Sequence, residues 1–200
     1  TCIDSDDSMP GDAIEKIPSF WNSLENKNEA AGLLALDFDI NKKEIIGGRL
    51  PESGTVTTCE QLIKKYGDFG DKKYVYRTEI IKSVNEYPEF ENEKIVPMSY
   101  KYWLVDQKMP IVTFNEIVCL VDYQEDGSTN TIKKQYFKSP RGFLAAKKEQ
   151  IMYPRIWSIR IKSVIHYIFF SKLTGERHYI KKSPRKLLTL FLIPAGLLYY

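Results

Sequence analysis

Histidine and cysteine, the side chains that most often hold metals, are scarce in this chain: two His and three Cys stand among 200 residues. Cys2, Cys59 and Cys119 form no C-x-x-C pair. That excludes a zinc ribbon and a thioredoxin-type centre, and an odd count excludes a disulfide framework. Cys59 and Cys119 read as core thiols. Also missing are G-x-x-x-x-G-K-[ST], G-x-G-x-x-G, H-E-x-x-H and G-x-S-x-G, so no catalytic residue, cofactor, metal ligand or small-molecule ligand is inferred. No internal repeat or low-complexity tract occurs, and no apolar run reaches the ~20 residues of a membrane-crossing helix.

What is present is ordinary for a globular core: 43% hydrophobic and 28% charged residues, with aromatics at 13%. Charge is unevenly distributed. From Lys133 onward fifteen Lys and Arg meet only Glu149 and Glu176, a balance of +13, whereas the stretch up to Asn130 carries −10. A split of this size predicts an anionic neighbour for the C-terminal third: lipid headgroups, nucleic acid, an acidic protein, or the chain's own first half.

Local patterns predict an α+β fold, with a mainly antiparallel sheet built from hairpins and a few short helices, plus a short apolar C-terminal segment. Residues 1–12 read as a flexible acidic tail, 13–182 as a single α+β domain (acidic to 130, basic from 133), and 183–200 as a basic-flanked apolar segment. Asp12 is placed to cap a helical run that breaks at Pro18, and Ser19 a second run carrying Phe20, Trp21 and Leu24. Leu34, Leu36, Phe38 and Ile40 alternate along a strand half-buried on one face, returning through Glu44 to Leu50. Thr58 and Gln61 form a capping box, with Gly67 as the stop. Strands are expected at Lys73 to Val84 and Tyr100 to Val105, and in a hairpin of Ile111–Tyr123 with Thr131–Phe137 about Glu125-Asp126-Gly127-Ser128. Phe143 to Met152 suits a helix. Ile156–Phe170 and Arg177–Lys181 read as a last hairpin about Thr174-Gly175-Glu176, which would bring His166 and His178 face to face.

Leu187 to Tyr200 carries no charge and follows Lys181-Lys182-Ser183-Pro184-Arg185-Lys186. At 1.5 Å per residue, fourteen helical residues reach about 21 Å, short of a ~30 Å hydrocarbon core. The segment reads as the start of a span, an interfacial anchor, or a last core element. The basic flank favours membrane contact, with the folded body on the cytoplasmic or matrix side. Candidate anionic-surface residues are Lys181, Lys182, Arg185, Lys186, Arg177, Lys147 and Lys148. Candidate membrane-contact residues are Leu187, Leu188, Leu190, Phe191, Leu192, Ile193, Leu197, Leu198, Tyr199 and Tyr200.

Two short resemblances stand beside this reading. Thr1 to Ser8, with Cys2 followed by acidic residues, resembles the start of a bacterial surface lipoprotein, which implies a lipid anchor on Cys2 and a cell-surface location. Asp37-Phe38-Asp39 resembles the D-x-D start of haloacid-dehalogenase-type phosphoryl-transfer enzymes, although Asn41 stands where Thr or Val is expected. Alternation along the strand puts both Asp on one solvent face, an ordinary polar side. The leading expectation is a non-catalytic, membrane-associated accessory or scaffold domain docking on an anionic surface or a larger complex. The alternatives are an RNA-associated structural protein of a ribosome-like assembly, supported by cations interleaved with Tyr136, Phe137, Tyr153, Trp157, Tyr167 and Tyr179, and the lipid-anchored surface protein.

Overall fold

A computed structural model describes residues 1–67, 70–124, 127, 131–153 and 155–199. The chain divides into two compact units, residues 1–84 with 105–125, and residues 85–104 with 126–200. Neither unit is one continuous stretch of sequence.

The first unit holds all five strands. β1 (Gly32–Asp39) lies between two sets of partners. On one edge it runs parallel to β5 (Ile111–Val121); on the other it pairs antiparallel with β4 (Lys72–Tyr76) and then β2 (Glu44–Ile45). β3 (Val56–Thr57) closes the outer edge of β5. The sheet is therefore mixed, not a set of antiparallel hairpins. Only the β1–β2 return resembles the expected hairpin, and it stops at Ile45, before the positive-φ turn at Gly47 and Gly48.

Flanked on both edges, β1 is also covered on both faces. Leu33, Leu34, Ala35, Leu36, Asp37 and Asp39 are all buried, whereas Ile40 is exposed. The expected solvent face does not exist, because α1 (Ala13–Ser23) supplies Ile17, Phe20 and Trp21 against Leu33, Ala35 and Phe114. Phe20 stacks on Phe114 with centroids 4.4 Å apart. Pro18 does not break this helix. Proline removes one helical N–H, and its would-be acceptor residue, Ile14, sits on the exposed flank where water can serve the carbonyl.

Two further helices belong to this unit. α2 (Cys59–Tyr66) starts with the expected capping box, Thr58 accepting from Gln61 N and Gln61 accepting from Thr58 N, and ends at Gly67. β4 stops at Tyr76, and α3 (Thr78–Lys82) replaces the rest of the strand expected to Val84. The N-terminal stretch is partly docked: Ser8 bridges Leu120 on β5.

α4 (Ser99–Asp106), where a strand was expected, straddles the boundary between the units. The second unit is otherwise helical: α5 (Ile132–Lys138), α6 (Pro140–Met152), α7 (Trp157–Leu173), α8 (Tyr179–Lys182), α9 (Lys186–Phe191) and α10 (Ile193–Tyr199). α6 matches the helix expected there. α5, α7 and α8 replace three expected strands, and the turn residues 125, 126 and 128 lie outside the described residues. On α7 the buried residues are Ile159, Ser163, Val164, Tyr167, Ile168, Phe169, Phe170 and Ser171; the first five recur at helical steps of three and four, and the last turn is covered all round. Gly175 (φ +68) ends α7 rather than turning a hairpin, because Glu176 N bonds Ser171 O, closing the helix with a left-handed cap. α6 and α7 join through Phe143 stacked on Phe170, with Tyr136 edge-on to both.

Thr58→Ala should lower the stability of the first unit by about 1 kcal/mol, and Thr58→Ser should restore most of it. Urea unfolding checks this, and equal loss for both substitutions would contradict the capping role.

Candidate functional site

Residues 186–199 form a two-sided layer. Leu188, Leu192 and Ile193 pack against the cluster of Ile151, Val164, Tyr167, Ile168 and Tyr179. Thr189 is fully buried, and its hydroxyl lies 2.6 Å from the buried Ser183 hydroxyl. Gly196 meets α7 so closely that a Cβ there would lie 2.6 Å from Ile168. Outward stand Leu187 (84% exposed), Phe191 (81%) and Leu198 (89%), with Leu190, Leu197 and Tyr199 also exposed. The layer is apolar on both sides: Leu188, Leu192 and Ile193 face the protein beside Thr189 and Gly196, and a second set of large apolar side chains faces out.

Tyr199 extends the apolar surface toward α5. Its ring lies 5.4 Å from Phe169, which is 6.4 Å from the exposed Phe137. His166 lies beneath Tyr199 at 4.7 Å, and burial together with Lys147 and Lys162 lowers its pKa to about 4, so the imidazole is neutral near pH 7. His178 is exposed, one residue before α8. The two histidines do not face one another, since helices replaced the expected hairpin.

Of the candidate cations, Lys148, Arg177, Lys181, Lys182, Arg185 and Lys186 are exposed, and Lys182 pairs with Glu176. Lys147 is different: it bonds Gln150, and burial lowers its pKa to about 8. Arg185 and Lys186 sit at the start of α9, next to Leu187. Of the candidate apolar contacts, Leu188, Leu192 and Ile193 face inward and the others described face outward. Tyr200 lies outside the described residues. The second unit as a whole carries seventeen basic and seven acidic residues, a balance of +10. Gly196 and the inward Thr189 escaped the sequence reading, and Phe137 entered it as a site residue only among the aromatics of the RNA alternative. A lone Thr and a lone Gly inside an apolar run were the available signal for a packed side.

The first unit holds a separate polar cluster. The Asp37 side chain is buried, its Oδ1 has no hydrogen-bond partner, and its Oδ2 lies 3.9 Å from Lys73 Nζ. Cys119, paired with Asp37 across β1 and β5, has its Sγ 3.6 Å from Asp7 Oδ2. Burial raises the Asp37 pKa to about 6, opposed by Lys73, and burial raises that of Cys119 to about 11. Asp39 is committed elsewhere, its Oδ1 accepting from Asn41 N and Lys42 N at 2.9 Å in the turn. Both carboxylates of the D-x-D are thus interior, not solvent-facing. Among the described residues no three His, Cys, Asp or Glu side chains gather to hold a metal ion.

No family model matches the sequence, and neither a curated protein nor a solved structure is significantly similar to it.

A carboxyl whose pKa is raised by folding stabilises the fold fully below its unfolded value of 3.8, and that contribution is lost as pH rises through about 6. Asp37→Asn should therefore match the parent near pH 4 and exceed it at pH 8 by on the order of 3 kcal/mol. Paired urea curves at the two pH values check this; a difference independent of pH would contradict it.

Proposed function

We propose that this chain is a non-catalytic, membrane-associated accessory or scaffold domain that docks on an anionic membrane surface through its C-terminal helices. The observation that carries the reading is the second apolar side of α9 and α10: with Leu188, Leu192, Ile193, Thr189 and Gly196 turned inward, Leu187, Phe191 and Leu198 are still turned out. Water is a poor neighbour for that outer side. Burying one such Leu or Phe side chain contributes about 2 kcal/mol, and each cation held near anionic lipid adds about 1 kcal/mol. Arg185 and Lys186 border the apolar side, and Lys181 is exposed on α8 close by in sequence.

The geometry suits lying in the interface rather than crossing it. α9 and α10 have six and seven residues, and no helix among the described residues is long and apolar enough to cross a membrane. The basic rim favours a folded body on the cytoplasmic or matrix side, where the facing leaflet carries anionic lipid. The RNA reading is weaker, because three of the aromatics it relies on are used internally. Tyr136 packs on Phe143 and Phe170, Tyr167 donates to Tyr179 O, and Tyr179 is buried.

Flotation with phosphatidylcholine vesicles containing phosphatidylserine tests the proposal. The parent should float and remain bound in part at high salt, since apolar insertion is not screened. Leu187→Ser/Leu198→Ser should abolish flotation without shifting thermal unfolding, both residues being more than 80% exposed. No flotation by the parent, or RNA binding that collapses steeply with salt, would overturn it. Gly196→Val should lower the melting temperature and detach α10 from Ile168, read as faster amide exchange over 193–199.

A further inference from the structure

We propose that α5 is a second membrane-docking element, in which Phe137 enters the interface while Lys133, Lys134 and Lys138 hold the headgroups of anionic lipids. This rests on the membrane reading above and assigns the part of the second unit that senses lipid charge. Residues 133, 134, 137 and 138 stand at i, i+1, i+4 and i+5, a spacing that gathers them on one side of a helix. All four are exposed. The protein uses the opposite side: Gln135 is buried, and Tyr136 packs edge-on to Phe143 and Phe170.

The outer side is therefore one aromatic ring among three lysines, with no carboxylate in the helix. Phe137 is 65% exposed. Among the described residues none of these lysines forms an ion pair, unlike Arg141 and Lys182, so their charge is available to an outside partner. Lysine suits such a place, because its apolar stem lies alongside an inserted ring while the ammonium stays at headgroup level. Apolar insertion and attraction to anionic lipid then act on the same short helix.

A row of rings ties α5 to the outward side of α10. Phe169 lies 5.4 Å from Tyr199 on one flank and 6.4 Å from Phe137 on the other. Both flanking rings are exposed, so the row runs along the surface and not beneath the C-terminal layer. Leu198, next to Tyr199 in the chain, is among the most exposed apolar residues of that layer. Two contacts set apart in this way fix the rotation of the unit about its C-terminal helices, which a single apolar patch leaves free. A strand of RNA is the poorer fit, since it takes successive aromatic platforms and α5 exposes one ring.

The test titrates the full chain with vesicles of phosphatidylcholine alone and of phosphatidylcholine with phosphatidylserine. Lys133→Gln/Lys134→Gln/Lys138→Gln should weaken binding to the phosphatidylserine vesicles at least about tenfold and leave binding to phosphatidylcholine unchanged. Lys43→Gln/Lys64→Gln/Lys82→Gln, at three exposed positions of the first unit, removes the same charge and should bind as the parent does. Phe137→Ser should weaken binding to both vesicles about tenfold, and Phe137→Trp, which keeps a ring there, should restore it. Parent-like binding by the α5 lysine variant, an equal loss in the first-unit variant, or no effect of Phe137→Ser overturns the role of α5 while the membrane reading stands. A parent that binds neither vesicle overturns both, as does single-stranded RNA binding, lost with the three α5 lysines, in the absence of vesicle binding.

Discussion

The contact of Gly196 with Ile168 decides which way the C-terminal layer faces. With no side chain at Gly196, α10 lies directly on α7, and α9 is held in the same sense by the buried Ser183–Thr189 hydroxyl pair. Once those small and polar residues are turned inward, helical geometry leaves Leu187, Phe191 and Leu198 no option but the outside. A helix pair stabilised only in water would keep Leu188, Leu192 and Ile193 inward but carry polar residues on the other side. The apolar exterior is therefore fixed by packing rather than left over from it, and the functional proposal rests on this orientation.

Charge works in the same direction. The helical unit carries +10, and its cations are largely exposed rather than consumed by internal pairs. Lys182–Glu176 and Arg141–Glu93 are its ion pairs among the described residues. A surface of this sign attracts anions, which is why the proposal gives it an anionic neighbour. The acidic unit has a different problem. It buries Asp37 with an unpartnered oxygen next to Lys73, a costly arrangement whose protonation state depends on pH. Its effect falls on the stability of the sheet, and Asp39, tied into the turn after β1, offers no second free ligand.

Where chemistry is local, the sequence was legible. The Thr58–Gln61 capping box, the Gly67 stop and the helix over Phe143–Met152 could all be read residue by residue, because each depends on neighbours a few positions away, and the charge split needs only a count. The mixed sheet could not. The parallel pairing of β1 with β5 joins segments about eighty residues apart, and a strand with both edges and both faces covered loses its meaning as an alternating half-polar pattern. β-branched and aromatic content misled the reading of α7, where burial of Val164, Tyr167 and Ile168 outweighs intrinsic strand preference. Thr174-Gly175-Glu176 carried a true signal, positive φ at Gly175, but that conformation ends helices as readily as it turns hairpins. The candidate surface was legible as a segment and not as sides: composition gives the apolar run, and only packing separates Leu188 from Leu187.

An environment-sensitive fluorophore attached through Leu198→Cys, with the exposed Cys2 replaced by serine, measures the central claim directly. The account predicts water-like emission in solution, showing that the outer side is uncovered, and a blue-shifted, brighter emission on adding phosphatidylserine-containing vesicles. Emission already shifted without lipid, or unchanged when the protein is bound to vesicles, would contradict it.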